Sequence, residues 1–245
     1  MYQFFIEPDQ AAREYVTITG KDVHHIRDVI RLSAGEEIRV SVRDGESYLC
    51  RIAELGDSFV QADILGEANS TELPVPVTLF QGIPKGDRME TVIEKAVELG
   101  VSRIVPVEMR FCVVRLSSDR AVKKVKKWQE LAEAAAKQSK RSVVPEVAGI
   151  TPFDKAAEEL LSTELPLVPY ENETGMNGWK AVAKKLKEAS SVGILIGPEG
   201  GFAMEEIKAL DTKAELVSLG RRILRTDTAA ITALSAVMLS LESLS

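Results

Sequence analysis

Val192-Gly193-Ile194-Leu195-Ile196-Gly197-Pro198-Glu199-Gly200-Gly201-Phe202 is an apolar run that passes directly into a glycine-rich segment, and a helical pattern follows from near Ala203. An uninterrupted apolar run of this length fits a strand buried on both faces, as in a parallel sheet covered by helices. Strand, glycine-rich turn and helix together mark the carboxyl edge of an α/β sheet, where small residues let backbone amides approach a ligand. A turn that needs glycine only for its own geometry is the plainer reading of the same residues.

Outward from this junction the same grammar repeats. Apolar runs Val77 to Gln81, Arg103 to Val107, Leu165 to Tyr170 and Leu216 to Leu219 alternate with helical segments, which predicts a parallel sheet with helices on both faces. The segment Asp87 to Leu99 carries Met89, Val92, Ile93, Ala96 and Val97 as one apolar stripe and stops at Gly100. A second strand-to-helix junction, Leu219-Gly220-Arg221-Arg222-Ile223-Leu224-Arg225-Thr226-Asp227-Thr228, sets three arginines beside an apolar pair, with Thr226 or Asp227 placed to N-cap the last helix. The spacing predicts a positively charged, partly buried loop; Ile223 and Leu224 plugging the core of a solvated loop is the plainer alternative. Thr228 to Leu241 is apolar all round, so it belongs inside the domain or against another subunit.

The first third reads differently. Short β-favouring runs with broken alternation, Gln3 to Ile6, Tyr15 to Thr19, Glu37 to Val42, Ser47 to Ile52 and Phe59 to Leu65, are separated by turn signals such as Asp44-Gly45 and Gly56-Asp57, the spacing of a small all-β barrel or sandwich. Only His24 to Leu32 reads as helix, with one histidine packed and the other exposed. Ala68 to Pro76 is a linker by composition, dividing the chain into residues 1–72 and 73–245.

Composition bounds the partners. The chain has 245 residues, 45% apolar and 28% charged, with a net charge of −6. Residues 1–73 carry −7, residues 74–148 carry +5 and residues 149–245 carry −4, so a nucleic acid would have to be met by a local basic face. The stripe Arg110, Arg115, Arg120, Lys123, Lys124, Lys126, Lys127, Lys137, Lys140 and Arg141 is the candidate, although helical phase spreads much of it around a solvated helix. No uncharged stretch reaches the ~18–20 apolar residues of a membrane span. Met1 to Gln10 lacks the basic flank and apolar run of a secretory signal, and two isolated cysteines, Cys50 and Cys112, build no disulfide framework. A cytoplasmic location is the expectation. Walker and dinucleotide fingerprints, metal-ligand spacing and a nucleophile elbow are all missing from the sequence.

Read together and in order, these segments resemble the RsmE family of 16S ribosomal RNA uridine N3 methyltransferases, a branch of the SPOUT superfamily. The resemblance rests on His24-His25-Ile26-Arg27-Asp28-Val29-Ile30-Arg31-Leu32, Pro84-Lys85-Gly86-Asp87-Arg88, Lys95, Glu98-Leu99-Gly100 and Arg110. It continues through Glu133-Ala134-Ala135, Gln138-Ser139, Arg141, Pro145, Ile196 to Phe202 and Leu219 to Thr228, and so covers essentially the whole chain. Two positions depart from the pattern: Arg221 stands where proline is expected, and Asp227 where glutamate is commoner, one methylene shorter.

What the resemblance implies is an α/β fold: a knotted (trefoil) parallel-sheet SPOUT methyltransferase domain, residues 73–245, preceded by a small PUA-like β-barrel RNA-binding domain, residues 1–72. It implies S-adenosylmethionine as cofactor, 16S ribosomal RNA within the small subunit as partner, a homodimer, and no metal or membrane. By carry-over, Tyr170, Glu171, Ile196, Gly197, Pro198, Gly200, Gly201, Ser218, Leu219, Gly220, Ile223, Leu224, Thr226 and Ala229 line the cofactor site. Lys85, Arg88, Arg115, Lys137, Arg141 and Arg222 are the expected RNA contacts. Methylation at N3 requires the imide proton to leave and the resulting charge to be stabilised. Arg225, Arg222 or Arg110 can do the second and Glu199 or Asp227 the first; Arg225, Glu199 and Arg110 are the residues chosen as catalytic. Two other classes stand beside this reading, a non-catalytic RNA-binding or ribosome-assembly protein on the same fold and an enzyme binding another adenine nucleotide.

Overall fold

The broken alternation of the first third has a structural cause: its strands β1 (Tyr2–Ile6) and β3 (Glu37–Val42) are buried on both faces. In the computed structural model, which describes residues 1–43, 45–210 and 212–243, they belong to a sheet completed by β2 (Tyr15–Thr19), β4 (Ser47–Leu55) and β5 (Phe59–Glu67). Its order among the described residues is β1-β3-β4-β5-β2, with β1 parallel to β3 and the other pairs antiparallel. Phe4, Ile6, Ile18, Ile38, Val40, Ile52 and Val60 form the core on one face. The opposite face buries the polar residues Gln3, Arg39 and Ser41. Of the turn signals expected here, Asp44 lies outside the described residues.

Those polar side chains reach a distant piece of sequence. Gln3 Nε2 donates to the Arg141 carbonyl, and an Arg39 nitrogen donates to Ser142 Oγ at 3.1 Å. The chain accordingly divides into two compact units, Met1–Glu72 with Ala136–Val144, and Leu73–Ala135 with Pro145–Ser245. A cut at residue 72 alone misassigns Ala136–Val144, which the linker composition had no means of showing.

The helical stretch expected at His24 to Leu32 starts earlier and ends before Leu32. It runs as α1 (Lys21–His24) and then as a wider π-helical turn, His25–Ile30, stopped by Arg31 at φ +62°. Asp22, Val23 and Ile26 face inward, which leaves both histidines exposed rather than one packed. His24 Nδ1 lies 2.6 Å from Asp28 Oδ2, and His25 presents its ring edge-on to Phe4.

The second unit is the predicted parallel sheet. Its strands are β6 (Val77–Gly82), β7 (Arg103–Glu108), β8 (Glu146–Val147), β9 (Thr151–Pro152), β10 (Leu165–Pro169), β11 (Val192–Ile196) and β12 (Glu215–Val217). The order among the described residues is β12-β10-β11-β6-β7-β8, with β9 also on β7, and every pair is parallel. Central strands β10 and β11 are buried at every residue, as continuous apolar runs require. Between and after the strands lie α2 (Arg88–Glu98), α3 (Ser118–Ser139), α4 (Phe153–Ser162), α5 (Asn177–Lys185), α6 (Met204–Leu210) and α7 (Thr226–Glu242). Helix α7 buries Ala230, Ala233, Leu234, Val237 and Leu241, while Leu239 stays 62% exposed. No helix among the described residues is long and apolar enough to cross a membrane.

Candidate functional site

Parallel strands bring all their carboxyl ends to one edge, and the loops leaving β10, β11 and β12 meet there around a cavity of ≈ 1120 Å³. Every residue that the resemblance assigned to the cofactor lines it, from Tyr170 and Glu171 through Ile196–Gly201 to Ser218–Gly220, Ile223, Leu224, Thr226 and Ala229. Sequence reasoning missed Glu173, Thr174, Gly175 and Met176, which form part of the wall between β10 and α5. Their only signal was contiguity with Tyr170 and Glu171.

The wall is held by a buried polar chain. Gln81, fully buried at the end of β6, donates from Nε2 to Thr226 Oγ1 at 2.9 Å, and Thr226 Oγ1 donates to the Gly197 carbonyl at 2.7 Å. This joins the ends of β6 and β11 to the start of α7. Thr226 therefore spends its hydroxyl across the sheet edge rather than on an N-cap, and the cap position is Arg225, without a side-chain bond. A lone glutamine in an apolar strand was the overlooked signal, since a buried amide implies a partner.

Glycine is required here by the loop's own packing. Gly201 sits at φ +69°, and a Cβ on it would lie 2.5 Å from Glu171 Oε1; one on Gly200 would lie 2.7 Å from Phe111 Cβ. Phe202 closes the loop edge-on against Tyr170, ring centroids 6.1 Å apart. Glu206, 6% exposed, accepts the Arg110 N–H and the Ala203 N–H, each at 2.8 Å, and so fixes the segment after β7 to the start of α6. Sequence reading passed over Glu206, although an acidic residue in a first helical turn beside free backbone donors is a recognisable signal.

Glu199 is not the open carboxylate that a general base needs. Its oxygens accept the Lys85 N–H at 3.0 and 3.3 Å and a donor from Arg88, so it clamps the turn before α2 to the glycine-rich loop. Glu199→Gln should accordingly cost less than about tenfold in kcat for methyl transfer, whereas removing a general base costs about 10² to 10⁴. Initial rates at saturating substrates decide it; a loss above about a hundredfold restores the base role.

The arginine loop is more open than its apolar pair suggested. Arg221, Arg222 and Arg225 are exposed on the cavity's lip and Ile223 is 84% exposed, so Ile223 neither plugs the core nor holds the charges half-buried. Arg110 is exposed but lies outside the cavity lining, and Arg115 is exposed with Glu108 at 3.8 Å. Two expected RNA contacts are corrected. Lys137 pairs with both oxygens of Asp22 at 3.0 Å, and Arg141, 2% exposed, is held by Glu72; both charges are satisfied inside the first unit. Cys50 and Cys112 are buried thiols, with burial pushing Cys50 up to about 12. No group of three or more His, Cys, Asp or Glu side chains that could hold a metal occurs among the described residues.

The comparisons with known proteins agree with this architecture. The RNA methyltransferase domain model matches residues 71–238, and the RNA methyltransferase PUA domain model matches residues 18–65. Fold and site thus define a class, an α/β RNA methyltransferase domain with an N-terminal PUA-like domain. The Ribosomal RNA small subunit methyltransferase E of Bacillus subtilis (strain 168) is 34% identical, over 100% of this chain and 98% of its own. That of Mycobacterium bovis is 32% identical, over 96% and 90%. A crystal structure of the Neisseria gonorrhoeae Ribosomal RNA small subunit methyltransferase E bound to S-adenosyl methionine matches with a TM-score of 0.82 at 33% identity, covering 96% of each chain. The chain belongs to the ribosomal RNA small subunit methyltransferase E family, as its sequence resemblance implied.

Proposed function

We propose that this protein transfers a methyl group from S-adenosylmethionine to N3 of a uridine in the 16S ribosomal RNA of the small subunit. The observation that carries the reading is the ≈ 1120 Å³ cavity at the carboxyl edge, in a chain whose full-length relatives are ribosomal RNA methyltransferases. The lining fits the cofactor chemically. Ile196, Leu219 and Leu224 offer apolar surface to a flat base, Glu171 and Glu173 offer carboxylates to hydroxyls and a cation, and Gly197, Gly200 and Gly220 leave backbone approachable. Tyr170, Glu171, Gly197–Gly201, Ser218–Gly220, Leu224, Thr226 and Ala229 would hold it.

Bound there, S-adenosylmethionine supplies an electrophilic methyl on a cationic sulfur. The remaining work falls to the chain. N3 lies on the pairing edge of uracil, so the target base is taken unpaired or extruded from its stack. Arg225, exposed on the lip, faces the charge that spreads to the flanking oxygens as the N3 proton leaves, and Arg222 or Arg110 adds to that field. With both Glu199 oxygens engaged and Asp227 outside the cavity lining, the proton passes to water. Exposed Lys85, Arg115 and Arg222 track the phosphates, while Arg88 is held on Glu199.

The trefoil knot, the homodimer and the cytoplasmic site of action belong to the same proposal. The ties from Thr226 to Gly197 and Gln81 support the knot, since they draw the chain after β12 back between earlier strand ends; such threading is a known exception to general topology. Leu239 and Ile223, large apolar side chains left exposed on α7 and the lip, support a second copy of this chain as cover.

The test is methyl transfer from labelled S-adenosylmethionine to small subunits lacking the modification and to naked 16S RNA, with nucleoside analysis of the product. N3-methyluridine at one position is expected, from a species sedimenting at twice the chain mass. Label in any other nucleoside, or none despite cofactor binding, overturns the assignment.

A further inference from the structure

Between β10 and α5 the chain crosses the cavity as residues 171–176, all exposed, and lines its wall with Glu171, Glu173 and Met176. The rim Ser218–Gly220, leaving β12, forms another part of the wall. One side chain joins the two. Trp179, in the first turn of α5, donates its indole N–H to the Ser218 carbonyl at 2.7 Å, across 39 positions of sequence. Beside it Gly178 rests on the same strand end; a Cβ there would lie 3.3 Å from Val217 Cγ1 and 3.5 Å from the Leu216 carbonyl oxygen.

Packing alone does not fix this rim. Behind Leu219 the protomer leaves a groove of ≈ 400 Å³ lined by Met176, Trp179, Leu219 and small residues of α7. Ser218 is otherwise bonded locally, through Oγ to the Gly220 N–H at 3.2 Å. A rim with open space on its outer side and a cavity on its inner side is held in place by the few polar contacts that cross to another element, and the indole bond is one of them.

We infer that Trp179 is a positioning residue for the cofactor: by fixing the Ser218 carbonyl to α5 it sets the spacing between the 171–176 wall and the 218–220 rim. The inference rests on the cofactor reading of the cavity. Trp179 does not itself line the larger cavity, so it acts through Ser218 and through Met176, three positions before it. Its effect belongs on cofactor affinity and not on the chemical step.

Trp179→Phe in the full-length protein is the test, because it keeps an aromatic ring at this position while removing the donor along with part of the indole's bulk. Calorimetric titration with S-adenosylmethionine should show a Kd raised about three- to tenfold, the worth of one ordinary hydrogen bond. KM for the cofactor should rise by the same factor, with kcat at saturation and KM for RNA unchanged. A lowered melting temperature with parental cofactor affinity would make Trp179 structural only and overturn the inference, as would an unchanged Kd in a folded variant. Should Trp179→Phe not fold, hydrogen exchange of the Trp179 indole N–H in the parent protein must slow on saturation with S-adenosylmethionine, and an unchanged exchange rate overturns the role. A parent chain that binds no S-adenosylmethionine removes the functional reading along with it; a parent that binds beside an equally tight variant removes Trp179 alone.

Discussion

Arg141→Ala should cost about 3 kcal/mol of stability and leave the salt dependence of RNA binding unchanged. The guanidinium is 2% exposed, and its partner Glu72 accepts Arg141 Nε at 2.9 Å together with the backbone N–H groups of Ser142 at 2.8 Å and Val143 at 3.2 Å. Removing one member of such a pair leaves the other charge without its counter-ion, at about 3–5 kcal/mol when burial is complete; the 23% exposure of the Glu72 side chain argues for the lower end. The urea midpoint followed by circular dichroism reads the loss, and the slope of log K against log salt reads the phosphate contact. A parental midpoint with a slope flattened by about one unit would return Arg141 to the RNA surface. This expected result separates what a positive residue does from what its sequence context suggested.

Gly201→Val should lower S-adenosylmethionine affinity by about thirtyfold while the chain stays folded. At φ +69° any Cβ carries a left-handed penalty of about 1–2 kcal/mol, larger for a β-branched side chain, and this one would also meet Glu171 Oε1 at 2.5 Å. Glu171 can swing away, so most of the strain is relieved by moving the loop and the carboxylate that line the cavity, at the expense of the site rather than the core. Calorimetric titration measures the affinity and thermal melting the fold. Gly201→Ala should fall between parent and valine. A folded Gly201→Val chain with parental affinity would detach this loop from the cofactor. The result also refines the reason for the glycine, which is the approach of Glu171 and the backbone's own hand rather than a ligand pressed against it.

Elements and cavity were legible in sequence to different degrees. Strand β11 was read at its true bounds, and the neighbouring strands to within two residues at either end, because strands buried on both faces against apolar helices leave short, largely apolar runs bounded by turn residues. The cavity lining was legible through the order of the glycine-rich and arginine-rich junctions, which the family resemblance joined into one site. The α1 segment was misplaced because a π-helical turn shifts the phase on which a periodicity argument depends, putting Asp22 inward and both histidines outward.

The sequence by itself determined the parallel sheet, the glycine-rich edge where the cavity lies and the family, since apolar periodicity and glycine position are local properties that each strand and turn must satisfy alone. Only the tertiary structure decided what the polar side chains do. Lys137 and Arg141 read as a basic stripe until Asp22 and Glu72 are seen beside them, and Glu199 reads as a base until Lys85 and Arg88 occupy it. Trp179 carried no signal of function until folding set it against Ser218, and the lone amide of Gln81 announced a partner without naming it until Thr226 stood beside it. The physical reason is range: an apolar side chain needs only to leave water, which its own pattern records, whereas a charge or a hydrogen-bonding group needs one particular partner, and here those partners lie 39 to 145 positions away.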